Sequence, residues 1–350
     1  LNKYYLSMTN NIKIGGFSCV LNKHIYNKHL TLNNETKNNS CNGLNLLKIT
    51  YITKYNQNEL EILDTIKDER YYNKYFPKIY GELIYLNDSS NLYKYLYKKN
   101  LLLEINFKKE YQLCAYFIEN CGNQELFDII CDLHDNKKTI FSIDYDIKIY
   151  LLVKQLLNGI KFLHTNQLCH FDIKPENILY NDKIINFENR FKIIDFGFSE
   201  YYPFNLYLKN IKGTEPYIPK NNNKDIPYWY KHCKINDWTL INMRYYHYVY
   251  INNCDKNLVY KSDIFALGNT FRQLVYFLKS YLKIKKNIDY NNLILNNLID
   301  NMIFGDINYR YTYNECLEHY FMLSYSQNQI HLFNTNTNTN TNTNTNTNTN

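Results

Sequence analysis

The sequence predicts an α+β chain in two lobes, a small strand-rich one followed by a larger helical one, and three observations predict it. Ahead of Cys114 the apolar runs are short and strand-like, in "IKIGGF", "LNLLKIT" and "KIYGELIYL". Beyond Leu126 apolar residues recur at steps of three and four, the spacing of helices that bury one face. A length of 350 residues leaves room for one large or two ordinary domains with a sizeable core.

Taken in order, residues 1–118 form the small lobe, with Asn-rich or polar stretches at 21–44 and 87–110 that read as insertions. Its one helix is expected over Asn56–Lys67, where Leu60, Leu63 and Lys67 share a face. Residues 119–124 link the lobes, and 125–333 form the larger one, with a third insertion at 221–258 rich in Asn, Tyr and Trp. Two helices carry its pattern: Ile149, Leu152, Leu156, Ile160 and Leu163 on the first, and Ile264, Leu267, Phe271, Leu274 and Leu278 on the second. The second is apolar nearly all round at its start, which predicts burial. The tail 334–350 is a strict Asn-Thr alternation without an apolar residue, a composition that cannot repay the entropy of ordering.

Composition narrows the function classes. The formal charge of +7 comes from 40 basic and 33 acidic residues scattered along the chain, which reads as a solvated surface and not a nucleic-acid stripe. Nine cysteines show no C-x-x-C pair and no metal-finger spacing, so reduced thiols in a cytoplasmic setting are expected. No run of about 18 apolar residues is long enough to cross a membrane. The chain begins at Leu1 and not at Met, so a further N-terminal segment is expected. His164, His232 and His247 read as structural, without a second His or Cys at metal spacing.

The chemistry concentrates in "HFDIKPENILYND", His170–Asp182, which is too polar for a core. Phosphoryl transfer from a nucleotide needs metal ligands, a cation on the transferred phosphate and a carboxylate that receives the acceptor's proton. Asp172, Lys174 and Asn177 offer the carboxylate, the cation and one Mg²⁺ ligand. Asp195 in "FKIIDFGFSE", at the end of a predicted strand, offers the second metal ligand.

These two segments resemble the catalytic loop and D-F-G motif of eukaryotic protein kinases, whose "HRDLKPEN" differs only at Phe171 and Ile173. "KGTEPYIPK" resembles their G-T-x-x-Y-x-A-P-E segment, with Thr214 and Tyr217 in place. "SDIFALG" resembles D-I-W-S-L-G and sets Asp263 at the start of the buried helix, and "DINYRYTYNECLEHYF" resembles the closing helix with Arg310. "YFIENCGNQELFDII" is similar to the family's hinge, closest in the calcium/calmodulin-dependent branch, which makes Ile118 the gatekeeper and turns Glu119 and Cys121 toward the adenine.

The resemblance implies the bilobal protein-kinase fold and a serine/threonine protein kinase that binds ATP and Mg²⁺ between its lobes. Lys174 favours Ser/Thr over Tyr acceptors. Around the nucleotide it implies Gly15, Val20, Lys48, Ile118, Glu119, Cys121, Glu125, Asn177 and Asp195, with Lys48 ion-paired to Glu59 and Lys54 as the fallback for Lys48. Glu125 and Glu176 match positions that pair with substrate arginine, which implies protein substrates with basic residues near the acceptor. Four departures stand out: Lys13 and Ser18 replace glycines of the phosphate loop, Leu46 replaces an Ala against the adenine, and Lys220 replaces the Glu that pairs with the Arg of the closing helix. They motivate the alternative of a pseudokinase serving as a scaffold or nucleotide-binding module. Asp225, in the third insertion, is expected to supply Arg310 with the carboxylate that Lys220 lacks.

Overall fold

The computed structural model describes residues 12–14, 18–22, 45–51, 54–66, 72–104, 112–122, 124–201, 217, 256–304, 309–325 and 329–330. Gly15, Thr214, Lys220, Asp225, His232, His247 and the tail 334–350 lie outside them. The described residues divide into two compact units that part at Asn120/Cys121, with Lys74–Phe76 belonging to the second.

The first unit is built on a five-stranded antiparallel sheet in the order β1-β2-β3-β5-β4, from β1 (Ile12–Ile14), β2 (Ser18–Leu21), β3 (Asn45–Tyr51), β4 (Ile79–Leu86) and β5 (Leu113–Glu119). β3 pairs with β5 so that Lys48 stands opposite Tyr116 and Leu46 opposite Ile118. Alternation along these strands sends Leu47, Ile49 and Tyr51, with Leu113, Ala115 and Phe117, into one apolar cluster. Lys48 and Tyr116 take the other face. Helix α1 (Lys54–Ile66) starts two residues before the stretch read from sequence and buries Glu59, Ile62, Leu63 and Ile66. Short helix α2 (Tyr72–Tyr75) follows.

Two of the predicted insertions carry ordered elements. Leu21 closes β2 and is fully buried, so the first insertion does not begin there. The stretch 87–110 carries helices α3 (Asn91–Lys98) and α4 (Leu101–Glu104). Leu92 and Leu96 of α3 and Leu101 and Leu102 of α4 enter the sheet's apolar cluster. Ser90 caps α3, its hydroxyl accepting the Tyr93 amide at 3.1 Å. The Lys and Tyr content of α3 disguises a core element, because its two leucines sit four residues apart on one face.

In the second unit β6 (Gln124–Glu125), β8 (Ile178–Tyr180) and β9 (Phe191–Ile193) form a three-stranded sheet, and β7 (Leu168–Cys169) pairs with β10 (Glu200–Tyr201). Around them stand α5 (Leu126–His134), α6 (Tyr145–Thr165), α7 (Lys256–Lys286), α8 (Leu293–Met302), α9 (Tyr313–Glu318) and α10 (Tyr320–Leu323). Both predicted apolar helices are present, with all ten of their pattern residues buried. α7 begins at Lys256, inside the third predicted insertion, so Asp263 lies two turns into the helix and not at its start. No described helix is long and apolar enough to cross a membrane.

Candidate active site

In the first unit the Lys48 ammonium reaches both oxygens of Glu59, at 2.9 and 2.7 Å. Lys48 comes from a central strand and Glu59 from the second turn of α1. Lys54, the fallback, begins α1. Lys48 also stands 5.9 Å from the centroid of its cross-strand neighbour Tyr116. That ring is fully buried, and burial, with the Glu59 charge, pushes its phenol up. Val20 pairs with Lys48 across β2 and β3 and is partly exposed, as are Leu46 and Ile118. Glu119 joins the strand ends by accepting the Lys78 amide at 3.1 Å.

In the second unit the chain turns at Gly122, whose φ of 120° excludes a side chain, since a Cβ there would stand 2.0 Å from the Tyr180 carbonyl oxygen. Cys121 is buried beside it. Glu125 precedes α5, its amide donating to Asp128 at 2.9 Å.

The loop after β7 brings three predicted residues together. Asp172, 2% exposed, accepts Lys174 Nζ at 2.8 Å and Asn177 Nδ2 at 3.0 Å on one oxygen, Oδ2. Asn177 Nδ2 also donates to the Asp172 carbonyl at 2.9 Å. Both donors of that amide face inward, which leaves Oδ1 as an outward hard donor. β8 and β9 pair as a hairpin, Ile178 opposite Ile193, which places Asp195 two residues past the strand end. Asp195 takes a φ of 69°, and its Oδ1 accepts the Gly197 amide at 3.4 Å. Two oxygen donors of this kind suit Mg²⁺, a hard cation, better than a softer metal. Phe196 turns inward, its ring 5.0 Å from His170 and 5.5 Å from Phe76.

Sequence reasoning placed Asp263 but missed its part in holding this loop. Asp263 of α7, wholly buried, accepts the amides of His170 at 2.8 Å and Phe171 at 2.9 Å, one on each oxygen. His164 Nε2 lies 3.0 Å and Cys169 Sγ 3.3 Å from Oδ2. Burial alone would raise the Asp263 carboxyl, but His164, His170 and the His170 amide outweigh it and hold it below its ordinary value. The fold therefore gathers a His, a Cys and an Asp that the sequence scatters, with ligand atoms within 4.8 Å of one another. Hydrogen bonds to one charged acceptor account for the cluster. The available signal was a lone Asp in an otherwise apolar helical run.

Arg310 is buried at 1% exposure, as expected. Its Nε and Nη2 donate to the Phe304 carbonyl at 3.1 and 3.0 Å, its Nη1 to the Lys261 carbonyl at 3.3 Å, and its guanidinium lies 4.6 Å from the Phe265 centroid. The expected carboxylate partner, Asp225, is outside the described residues. Tyr217 is buried and donates to Gln273 of α7 at 2.8 Å.

Comparison with known proteins agrees with this geometry. The family model for the protein kinase domain matches residues 90–322. Human death-associated protein kinase 2 is 35% identical over 104 residues, 29% of this chain and 25% of that protein. The serine/threonine-protein kinase dkf-1 of Caenorhabditis elegans is 38% identical over 86 residues, 23% of this chain and 12% of that protein. Calcium-dependent protein kinase 4 of Plasmodium falciparum is 43% identical over 75 residues, 21% of this chain and 14% of that protein. The matched part of this chain thus spans a quarter or less of each of these relatives. With two thirds of its length matched by the family model, the chain belongs to the protein kinase domain family.

Proposed function

We propose that the chain is an ATP-dependent serine/threonine protein kinase, transferring the γ-phosphate of ATP to Ser or Thr hydroxyls of protein substrates. The observation that carries this reading is the buried Asp172 carboxylate, which spends one oxygen on Lys174 and Asn177. Asp172 is placed to orient the acceptor hydroxyl and take its proton, and Lys174 to set positive charge beside the transferred phosphate. In the first unit Lys48, held by Glu59, is the anchor for the nucleotide phosphates, with Gly15, Val20, Ile118 and Glu119 as further nucleotide contacts, and Cys121 and Glu125 are the nucleotide contacts of the second unit. Asn177 and Asp195 would hold Mg²⁺, which when bound neutralises charge on the phosphates.

A preference for basic residues near the acceptor belongs to the same proposal. Among the described residues Glu176 Oε2 is buried without a hydrogen-bond partner. The nearby Cys131 thiol is pushed up to about 11 by burial and then by Asp128, Asp135, Asp132 and Glu176, which marks a negative field on this face.

The deciding experiment is transfer of radiolabelled phosphate from ATP to a mixed protein substrate, run beside Asp172→Asn and Asp195→Asn. Each substitution is expected to remove nearly all transfer, on the order of 10²-fold or more, with little change in melting temperature. Wild-type protein that binds nucleotide but transfers nothing would support the scaffold alternative instead.

A further inference from the structure

Helices α7 and α8 enclose a cavity of about 310 Å³, remote in sequence from the catalytic loop. Its wall includes Arg272, Tyr276 and Lys279 from α7, Tyr290 from the connection, and Asn292 and Asn296 at the start of α8. Arg272 is ion-paired with Asp300. Among the described residues Lys279 makes no ion pair. The Tyr290 residue is 6% exposed, and its hydroxyl has no hydrogen-bond partner. The side chains of Asp146 and Asn292 lie close enough to act on it. Burial, with the Asp146 charge, pushes that phenol up, so it stands protonated in the cavity wall.

The cavity continues into a basic face. Arg272, Lys279 and Lys286 recur every seven residues, and Lys283 stands one turn beyond Lys279, so the four share one side of α7. At 1.5 Å per residue the row spans about 21 Å. Lysines in a last helical turn are commonly explained by the helix dipole, but Arg272 and Lys279 lie well inside α7, where the dipole offers nothing. Across the cavity stands the N-terminal end of α8, whose dipole also favours anions. Leu293, 71% exposed, and Ile294, 42% exposed, form an apolar lip beside it. The opposing acids are Asp300, already paired, Asp289, and Asp146 beside the Tyr290 hydroxyl, against five cations from Arg272 to Lys286.

We propose that the α7–α8 cavity and its basic row are a docking site for an acidic segment of a partner protein, separate from the catalytic loop. An extended segment of about six or seven residues matches the length of the row. One carboxylate enters the cavity toward Lys279 and the Tyr290 hydroxyl, and the following acids lie along Lys283 and Lys286. An apolar side chain in the same segment covers the Leu293–Ile294 lip. Charge complementarity chooses this occupant, since a neutral or basic segment would leave the row of Lys279, Lys283 and Lys286 unmatched.

The test uses the full chain without nucleotide and follows the fluorescence anisotropy of a fluorescein-labelled peptide of alternating Glu and Ser with one Leu, against a copy with Gln for Glu. The Glu peptide is expected to bind and the Gln copy not. Lys279→Glu with Lys283→Glu should weaken binding about tenfold, whereas Lys94→Glu with Lys98→Glu on α3, an equal change in net charge, should leave it within about twofold. Tyr290→Phe should weaken it about threefold at an unchanged melting temperature. Equal loss from both double variants would reduce the effect to net charge and overturn the proposal. So would binding of the Gln copy, or displacement of the peptide by submillimolar inorganic phosphate, which would mark a small-anion site.

Discussion

Glu59 holds the Lys48 ammonium with both carboxylate oxygens, in a pair whose side chains are 6% and 15% exposed. Removing one partner leaves a desolvated charge behind, commonly at a cost of about 3–5 kcal/mol. Glu59→Gln should therefore lower unfolding stability in urea and slow transfer together. Lys48→Met with Glu59→Leu should regain most of the stability, because two packed apolar side chains replace the pair, while transfer stays lost. A Glu59→Gln protein with the wild-type rate would remove Lys48 and Glu59 from the proposed machinery.

His170 carries a pH dependence. Its Nδ1 accepts the Asp172 amide at 3.2 Å and its Nε2 donates to the Ile194 carbonyl at 3.2 Å, so the neutral ring satisfies both. Burial lowers its pKa below the ordinary 6.5, against the charges of Asp263, Asp172 and Asp195. The unfolded chain then binds the extra proton first. Stability from this group is complete above about pH 6.5 and falls as the pH drops below it, with a slope of up to roughly 1.4 kcal/mol per pH unit. Urea titrations from pH 7.5 to 5 should show a shallower slope in His170→Leu than in wild type. Parallel curves would contradict it.

The stretch 87–110 should behave as core. Leu92→Ala and Leu96→Ala each empty a fully buried site and are expected to cost about 2–5 kcal/mol. Tyr97→Ser, at a side chain 66% exposed, should stay within about 0.5 kcal/mol. Denaturation midpoints of the three variants check this, and a tolerated Leu96→Ala would return the segment to the status of an insertion.

Phe171 predicts independence from phosphorylation. Where the family places an Arg before the catalytic Asp, this chain has a buried ring at a φ of 64°, its amide tied to Asp263 at 2.9 Å. A ring offers no charge to a phosphate on the segment that follows. Phosphatase-treated protein should transfer at the untreated rate. Loss of activity together with a mapped phosphosite between residues 201 and 212 would contradict this.

What the sequence made legible follows its physics. Local spacing exposed α6 and α7, because a period of three and four survives substitution among apolar types. Asp172, Lys174, Asn177 and Asp195 were legible because a loop eight residues long and one hairpin fix their relation along the chain. Asp263 was placed by resemblance, but its hub role was not, since His164, Cys169 and His170 meet it across more than 90 residues of chain. Helix α3 was not legible because composition outweighed its two-leucine face. The third insertion was drawn too long, its last three residues belonging to α7.

Arg310 gives the last prediction. Its guanidinium forks onto the Phe304 carbonyl and reaches the Lys261 carbonyl while lying over Phe265. A planar fork does this and a single ammonium does not, so Arg310→Lys should recover little of the stability lost in Arg310→Met, expected at about 3–5 kcal/mol. Carbonyl oxygens carry only partial charge, and a buried cation is more fully compensated by a carboxylate. The third insertion begins directly after Lys220, and of its acids Asp225 has the shortest tether to that position. In a double-mutant cycle Asp225→Asn and Arg310→Met should couple by roughly 1 kcal/mol or more, within the range found for residues in contact. Both variants should also weaken peptide substrate binding more than nucleotide binding, since the Arg310 contact with Lys261 reaches the helix that receives Tyr217. Strict additivity of the two stability changes would remove Asp225 as the partner.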